Sequence, residues 1–409
     1  MKKVLFVTYG GGHVNIVKPI AKEIKKQGDI DYIILALTTA IPYLKTSGLK
    51  YKTLLDYLPI LNNSQEILNI GKKLAMEYHN PNAGFSIEQT SVYLGCSMYD
   101  LIEKIGKKRA LEKFDSEGRA AFCPTSIMQQ ILKIEKPDIV VTTVPYRMEK
   151  AAVLEAKKLG IKTVFIHDWY FIQKNELYNN IYIHFVMNDI AKKELMSYGI
   201  DENKIFITGQ PAFDYLLQPF DSSLSEIYEE IGVNIGKKNL VWFMDNSPTL
   251  NPIEVQEVEK AVRYFKNFNF IIKLHPNEEK IEKFMNIFNK YNNVKVLHKY
   301  DNRKLLEIGE VFLVAKSTMA LEISFFDRDL ILMDFDNVDS EYTKKYRPDR
   351  FNLALPVLGK DKLINTIETL LKNKYFKLCL KNGREIFWPD KESAAKKCCK
   401  ILKNLYKGV

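Results

Sequence analysis

The side chains with chemistry to offer sit at the ends of apolar runs. The chain opens MKKVLFVTYGGGHVNIVKPIAKEIKKQGD, where VLFVTY stops at Gly10-Gly11-Gly12 and meets His13 before a helical pattern begins. Glycine admits positive φ and lets another backbone or a ligand come close. The helix that follows presents free N–H groups and the positive end of its dipole. Gly11 and Gly12 are therefore candidate phosphate contacts. Histidine takes a proton near neutral pH, which makes His13 a candidate base. The alternative is a capping or purely structural imidazole. The spacing is not G-x-G-x-x-G, no acidic residue is placed for a ribose, and no GK[ST] follows. A dinucleotide fingerprint and a P-loop are both excluded.

Similar stations recur downstream. TTVPYR places Arg147 after an apolar run, where it can meet an anionic acceptor group. FIHDWY places His167 and Asp168 after the next, for acceptor binding or proton transfer. Structural pairing is the alternative for all three. In the second half, NLVWFMDNS ends on Ser247, IIKLHPN holds His275 and Pro276, and EVFLVAKST ends on Ser317 and Thr318. A hydroxyl at a helix N-terminus can hold a phosphate, or simply cap the helix. Glu322 lies four and five residues beyond that pair, on the same helix side, where it can accept from a ribose diol. A solvated glutamate is disfavoured by its neighbours Ala320, Leu321 and Ile323. Gly209 and Gln210, in KIFITGQP, fall near the crossing from the first half to the second. Asp327-Arg328-Asp329 has the form of a metal-binding Asp-x-Asp but precedes an apolar run, so no metal is expected.

These stations need a scaffold, and the pattern supplies one. Apolar runs at 4–9, 32–37, 137–144, 162–169, 181–189 and 204–209 alternate with helical patterns. A second series follows at 239–245, 269–275, 294–298, 310–315 and 329–335. The rhythm predicts parallel sheets covered on both faces, with ligands beyond the carboxyl ends of the strands. Residues 57–130 break it with a long helical elaboration rich in Tyr, Met and Lys, suited to shaping an acceptor side or a homodimer surface. The polar stretch 213–236 reads as a domain boundary. The expected division is an acceptor-side domain at 1–215, a nucleotide-binding domain at 216–385 and a crossing helix at 386–409.

At 409 residues two domains are the default, and 46% hydrophobic with 27% charged residues fits a globular protein. No apolar stretch reaches membrane-spanning length, and the opening run is too short for a signal peptide. A cytoplasmic location is expected. Five cysteines without metal-like spacing suit a reducing compartment. The net charge of +10 is spread along the chain without interleaved aromatics, which argues against nucleic acid. The closing KESAAKKCCKILKNLYKGV reads as a docked amphipathic helix with a basic face; the sharper alternative is contact with acidic headgroups at the inner membrane face.

GGGHVNIVKPIAKEIKKQGDIDYIILALTTAIPYLKTSGLKY resembles the N-terminal signature of GT-B glycosyltransferases, including UDP-sugar transferases and the peptidoglycan N-acetylglucosaminyltransferase; Gly12, His13, Pro19, Ala21, Gly28 and Gly48 fit it. GIDENKIFITGQPAFDYL, IIKLHPN, AKSTMALEISFFDRDLILMDFD and WPDKESAAKKCCKIL resemble later segments of the superfamily, among them those of sugar-nucleotide 2-epimerases and CDP-glycerol glycerophosphotransferases. The resemblance covers most of the chain except 57–130 and 337–380. It implies an α/β fold of two doubly wound Rossmann-like domains facing across a cleft, with a C-terminal helix crossing back. It further implies a metal-independent, inverting transfer of sugar from a nucleotide donor to a glycan or lipid-linked hydroxyl acceptor in cell-surface glycan synthesis. His13 would be the base, His275-Pro276 would lie at the phosphates, and no cofactor is implied beyond the UDP-, CDP- or CMP-sugar substrate. A 2-epimerase or hydrolase would need carboxylates where this chain has TTVPYR and FIHDWY. A CDP-glycerol-type polyol-phosphate transferase of the same fold is a further rival reading, and a binding-only role is one from a different class.

Overall fold

The computed structural model describes residues 2–244, 252–276, 278–315, 318–335, 347–388 and 390–407. The chain forms two compact units, Met1–Leu217 with Glu392–Val409, and Gln218–Lys391.

The first unit holds seven parallel strands: β1 (Lys3–Thr8), β2 (Asp31–Ala36), β3 (Tyr51–Lys52), β4 (Ile139–Thr142), β5 (Lys162–Ile166), β6 (Ile183–Val186) and β7 (Ile205–Ile207). They lie in the order β3-β2-β1-β4-β5-β6-β7. Its helices are α1 (Gly12–Gln27), α2 (Ala40–Lys45), α3 (Leu54–Tyr57), α4 (Ser64–Tyr78), α5 (Ile87–Ile105), α6 (Lys107–Glu117), α7 (Thr125–Glu135), α8 (Arg147–Lys158) and α9 (Asp189–Ser197). Successive strand residues face opposite sides. Leu5 and Val7 join a core with α5, α7 and α8, while Val4 and Phe6 join one with α1. Both faces are buried, so the strands read as continuous apolar runs rather than alternating ones. The order reverses between β1 and β4, which makes their carboxyl ends the switch point of the sheet.

The expected elaboration occupies the β3–β4 connection. It is tied to the sheet at the opposite end from the switch point. Glu135, closing α7, accepts from Lys3 at 2.5 Å, Lys52 at 2.6 Å and the Tyr57 hydroxyl at 2.7 Å. Burial alone would raise this carboxyl, but the three donors and the Lys3 charge pull it down to about 2.

The second unit holds α10 (Leu224–Ile231), β8 (Lys238–Phe243), α11 (Pro252–Tyr264), β9 (Phe268–Lys273), α12 (Ile281–Phe288), β10 (Val294–Leu297), α13 (Asn302–Ile308), β11 (Val311–Val314), α14 (Met319–Phe325), β12 (Asp329–Asp334), β13 (Leu355–Leu358), α15 (Leu363–Lys372) and α16 (Lys374–Phe387). Its six strands run β10-β9-β8-β11-β12-β13, with the reversal between β8 and β11. The edge strand β13 was not anticipated: LPVL carries a proline, which edge strands tolerate better than central ones.

The last helix, α17 (Ala394–Lys407), belongs to the first unit. Asp214 caps it, accepting from Ser393 Oγ at 2.6 Å, Ala394 N at 2.8 Å and Ala395 N at 2.9 Å. Cys398, Cys399 and Leu402 bury its apolar face in the core shared with α1, and Lys162 donates to the Leu405 carbonyl at 2.6 Å. Its basic face stays outward, with Lys403 paired to Asp29. Lys374–Phe387 is a separate helix of the second unit, so the segment that crosses back begins later than 386.

Candidate functional site

At the switch point of the first unit the glycines have distinct tasks. A Cβ on Gly10 would lie 2.4 Å from the carbonyl oxygen of Thr39, in the turn between β2 and α2. Gly10 is therefore required by close backbone approach. Gly11 has φ +66 with open space around it, so its need is conformational. Gly12 opens α1 with nothing near its Cβ position.

His13 follows in the first turn of α1, half-buried. Its Nδ1 is buried with no hydrogen-bond partner among the described residues. Burial lowers its pKa, the Asp168 charge opposes that, and the Arg147 charge adds to it. The net direction is down, so the ring is neutral at neutral pH and free to accept a proton. Asp168 is exposed after the end of β5, close enough to favour an imidazolium once formed.

On the other side of the switch point, α8 begins at Arg147, whose φ is +51. Left-handed backbone at a long side chain is strained by roughly 1 kcal/mol or more. The guanidinium lies 4.4 Å from the centroid of the Tyr9 ring. Tyr9 is buried; its hydroxyl pairs with that of Tyr93 at 3.1 Å and accepts from Met148 N at 3.3 Å. Burial first, then Tyr93, push the Tyr9 phenol well above its ordinary value, so it stays neutral.

Below these groups lies Glu149, fully buried. Its carboxylate accepts from Tyr9 N at 3.3 Å, Thr143 N at 2.5 Å, Val144 N at 2.9 Å and Thr143 Oγ1 at 3.2 Å. One side chain thus joins the loop after β1, which carries His13, to the loop after β4, which carries Arg147. Burial raises its pKa to about 7 against the pull of those donors. Sequence reasoning missed Glu149 and Tyr9. The one available signal was an acidic residue in the first turn of a helix that opens at a strand end.

His167 is turned inward. It is buried, its Nε2 lies 3.1 Å from His184 Nδ1, and it packs on Phe165 and Tyr178. Burial, then the His184 charge, hold it well below its ordinary value, so the pair is neutral and structural in its contacts. Gln210 is also buried, donating to the carbonyls of His167 at 3.3 Å and Asp168 at 2.8 Å. Its side chain steadies the segment that presents Asp168. Gly209 has φ +80 and packs against Ala394 of α17. Both residues belong to the first unit.

In the second unit, His275 and Pro276 follow β9 at the carboxyl rim, and Pro276 O accepts from His298 Nε2 at 3.1 Å. Thr318, exposed, precedes α14 without a side-chain cap bond, and half-buried Glu322 lies in that helix. β9 and β11 flank β8, so these residues share one end of one sheet. Ser247 and Ser317 lie outside the described residues. No helix of the described residues is long and apolar enough to cross a membrane.

Comparison with known proteins points in one direction. Residues 77–212 match the family model of monogalactosyldiacylglycerol (MGDG) synthase, and residues 179–311 that of UDP-N-acetylglucosamine 2-epimerase. A processive diacylglycerol β-glucosyltransferase of Bacillus mycoides is 26% identical over 225 residues, covering 53% of this chain and 47% of that protein. One of Bacillus cereus is 27% identical over the same shares. The chain thus spans about half the length of the curated relatives it matches. Among solved structures, a UDP-N-acetylglucosamine 2-epimerase of Neisseria meningitidis bound to UDP-GlcNAc aligns with TM-score 0.61 and 15% identity, covering 99% of this chain and 100% of that one. The glycosyltransferase SnogD of Streptomyces nogalater aligns with TM-score 0.56 and 12% identity, covering 98% and 99%.

Proposed function

We propose that this chain, which has the GT-B fold of epimerases and glycosyltransferases, is a glycosyltransferase that moves a sugar from a nucleotide donor to a lipid hydroxyl with His13 as base. The observation that carries the reading is the state of His13: a neutral imidazole whose Nδ1 has no partner among the described residues, at a sheet switch point, with Asp168 placed to stabilise its protonated form. In the proposed step the imidazole takes the acceptor O–H proton as that oxygen bonds to the anomeric carbon. The bond from that carbon to the diphosphate breaks, and the nucleotide leaves with the electron pair. His275, Thr318 and Glu322 are the proposed nucleotide contacts of the second unit, joined by Ser247 and Ser317, and the helix N-termini would stabilise the charge of the leaving group without a metal. The matches to diacylglycerol glucosyltransferases and to MGDG synthase support a lipid acceptor.

The epimerase match at 179–311 favours a second reading on the same fold. Against it stands Glu149, the buried carboxylate at the switch point, whose oxygens are engaged by three backbone amides. The deciding experiment incubates the protein with UDP-glucose, UDP-galactose or UDP-GlcNAc and lipid acceptors in mixed micelles containing EDTA. Glycolipid formation that falls at least about a hundredfold in His13→Ala supports the transferase. UDP-ManNAc or free sugar appearing from UDP-GlcNAc without acceptor would replace it with the epimerase or hydrolase.

A further inference from the structure

Arg147 is unlike the other half-buried or buried arginines of this chain. Arg384 pairs with Asp327 at 3.0 Å, Arg303 with Glu307 at 2.7 Å, and Arg347 with both Asp334 and Asp349, while Arg328 donates to the Glu307 carbonyl at 3.0 Å. Arg147 has no carboxylate within ion-pair distance and no hydrogen-bond acceptor for its guanidinium among the described residues; its contact is the face of Tyr9. The nearest carboxylate in sequence, Glu149, is turned beneath it and already holds three amides. Its backbone is held at φ +51, a conformation that aims this side chain at a cost.

Asp168, exposed, acts on His13, and Glu149 is taken up by backbone amides; neither carboxylate pairs with the Arg147 guanidinium. Tyr9 is kept neutral, His13 is neutral with no partner for its Nδ1 among the described residues, and Arg147 lowers the His13 pKa by its own charge. A planar guanidinium with five donors and no acceptor matches a phosphate better than a neutral hydroxyl. Both groups stand on the unit that carries the base, while the second unit has its own phosphate candidates.

We infer that Arg147 is a phosphate-binding residue for the acceptor, so that the preferred acceptor carries an ionised phosphate beside its reacting hydroxyl, unlike neutral diacylglycerol. This rests on the transferase reading for the word acceptor, but not for the binding. A phosphate can also come from the donor diphosphate, and the test separates the two sources.

Equilibrium binding of dioctanoyl-phosphatidylglycerol, dioctanoylglycerol and UDP is measured on the wild type, Arg147→Met and Arg147→Gly. Glycine relieves the positive φ, so it guards against a folding defect. The expected result is a tenfold to hundredfold loss of affinity for the phosphatidylglycerol in both variants, with dioctanoylglycerol and UDP changed less than twofold. Equal losses for both lipids, or no loss for either, would overturn the inference. A loss confined to UDP would also overturn it, by moving the phosphate to the donor. Binding is read without turnover. A protein that transfers no sugar yet shows the expected pattern would therefore sink the transferase reading and leave the phosphate site standing.

Discussion

Glu149→Gln tests whether one buried carboxyl holds the switch point together. Burial moves this group from its ordinary 4.5 to about 7 in the folded chain. At about 1.4 kcal/mol for each pH unit, the difference is about 3 kcal/mol. The folded protein keeps a proton that the unfolded chain has lost between pH 4.5 and about 7. Folding therefore takes up a proton in that window, and stability falls as pH rises through it, then levels off above about 7. Glutamine never ionises, so the variant lacks this slope. It keeps its carbonyl on the Thr143 and Val144 amides but turns an NH2 toward Tyr9 N, leaving one buried donor unpaired at a cost of about 1–3 kcal/mol. Urea unfolding at pH 5 and pH 8 is the assay. At pH 5 the variant should be the less stable by about 1–3 kcal/mol. At pH 8 the gap should have closed or reversed, a relative change of about 3 kcal/mol. Parallel profiles for the two proteins would refute the raised carboxyl. Glu149→Ala, which orphans all three amides, should be less stable than the glutamine variant at both pH values.

Other perturbations follow from the same geometry. Because burial lowers the His13 pKa, kcat/KM should rise with pH along a limb whose midpoint lies below 6.5, and Asp168→Asn should move that limb to lower pH by removing the charge that favours the imidazolium. Gly10→Ala forces a Cβ against the Thr39 carbonyl and should cost about 1–3 kcal/mol in urea unfolding, whereas Gly12→Ala meets open space and should cost less. Asp214→Ala removes the acceptor of three capping bonds and should cost about 1–2 kcal/mol. Its undocking of α17 is read at Cys398 and Cys399: both are buried, with Cys399 pushed up to about 12, so alkylation is slow in the wild type and should speed up in the variant.

The chain's own pattern determined the alternation of strands and helices, because strands buried on both faces must be continuously apolar and the crossover helices between them carry a 3.6-residue period. It also located the glycine turn, His13 and the rim stations, since these interrupt that pattern at strand ends. Three matters were left to the tertiary structure. The order of the strands, and so the switch point between β1 and β4, depends on pairings between residues more than a hundred apart, such as Leu5 with Val140. The partners of polar side chains are decided by who arrives nearby: His167 looked like a rim residue until His184 came in beside it from β6, and Asp214 looked like a motif letter until α17 docked on it. Glu149 was invisible for the same reason. A glutamate in a first helical turn is ordinary, and only the folded chain brings the Tyr9 amide from the distant loop after β1 onto a carboxylate that also takes the Thr143 and Val144 amides of its own entry loop, and closes water out.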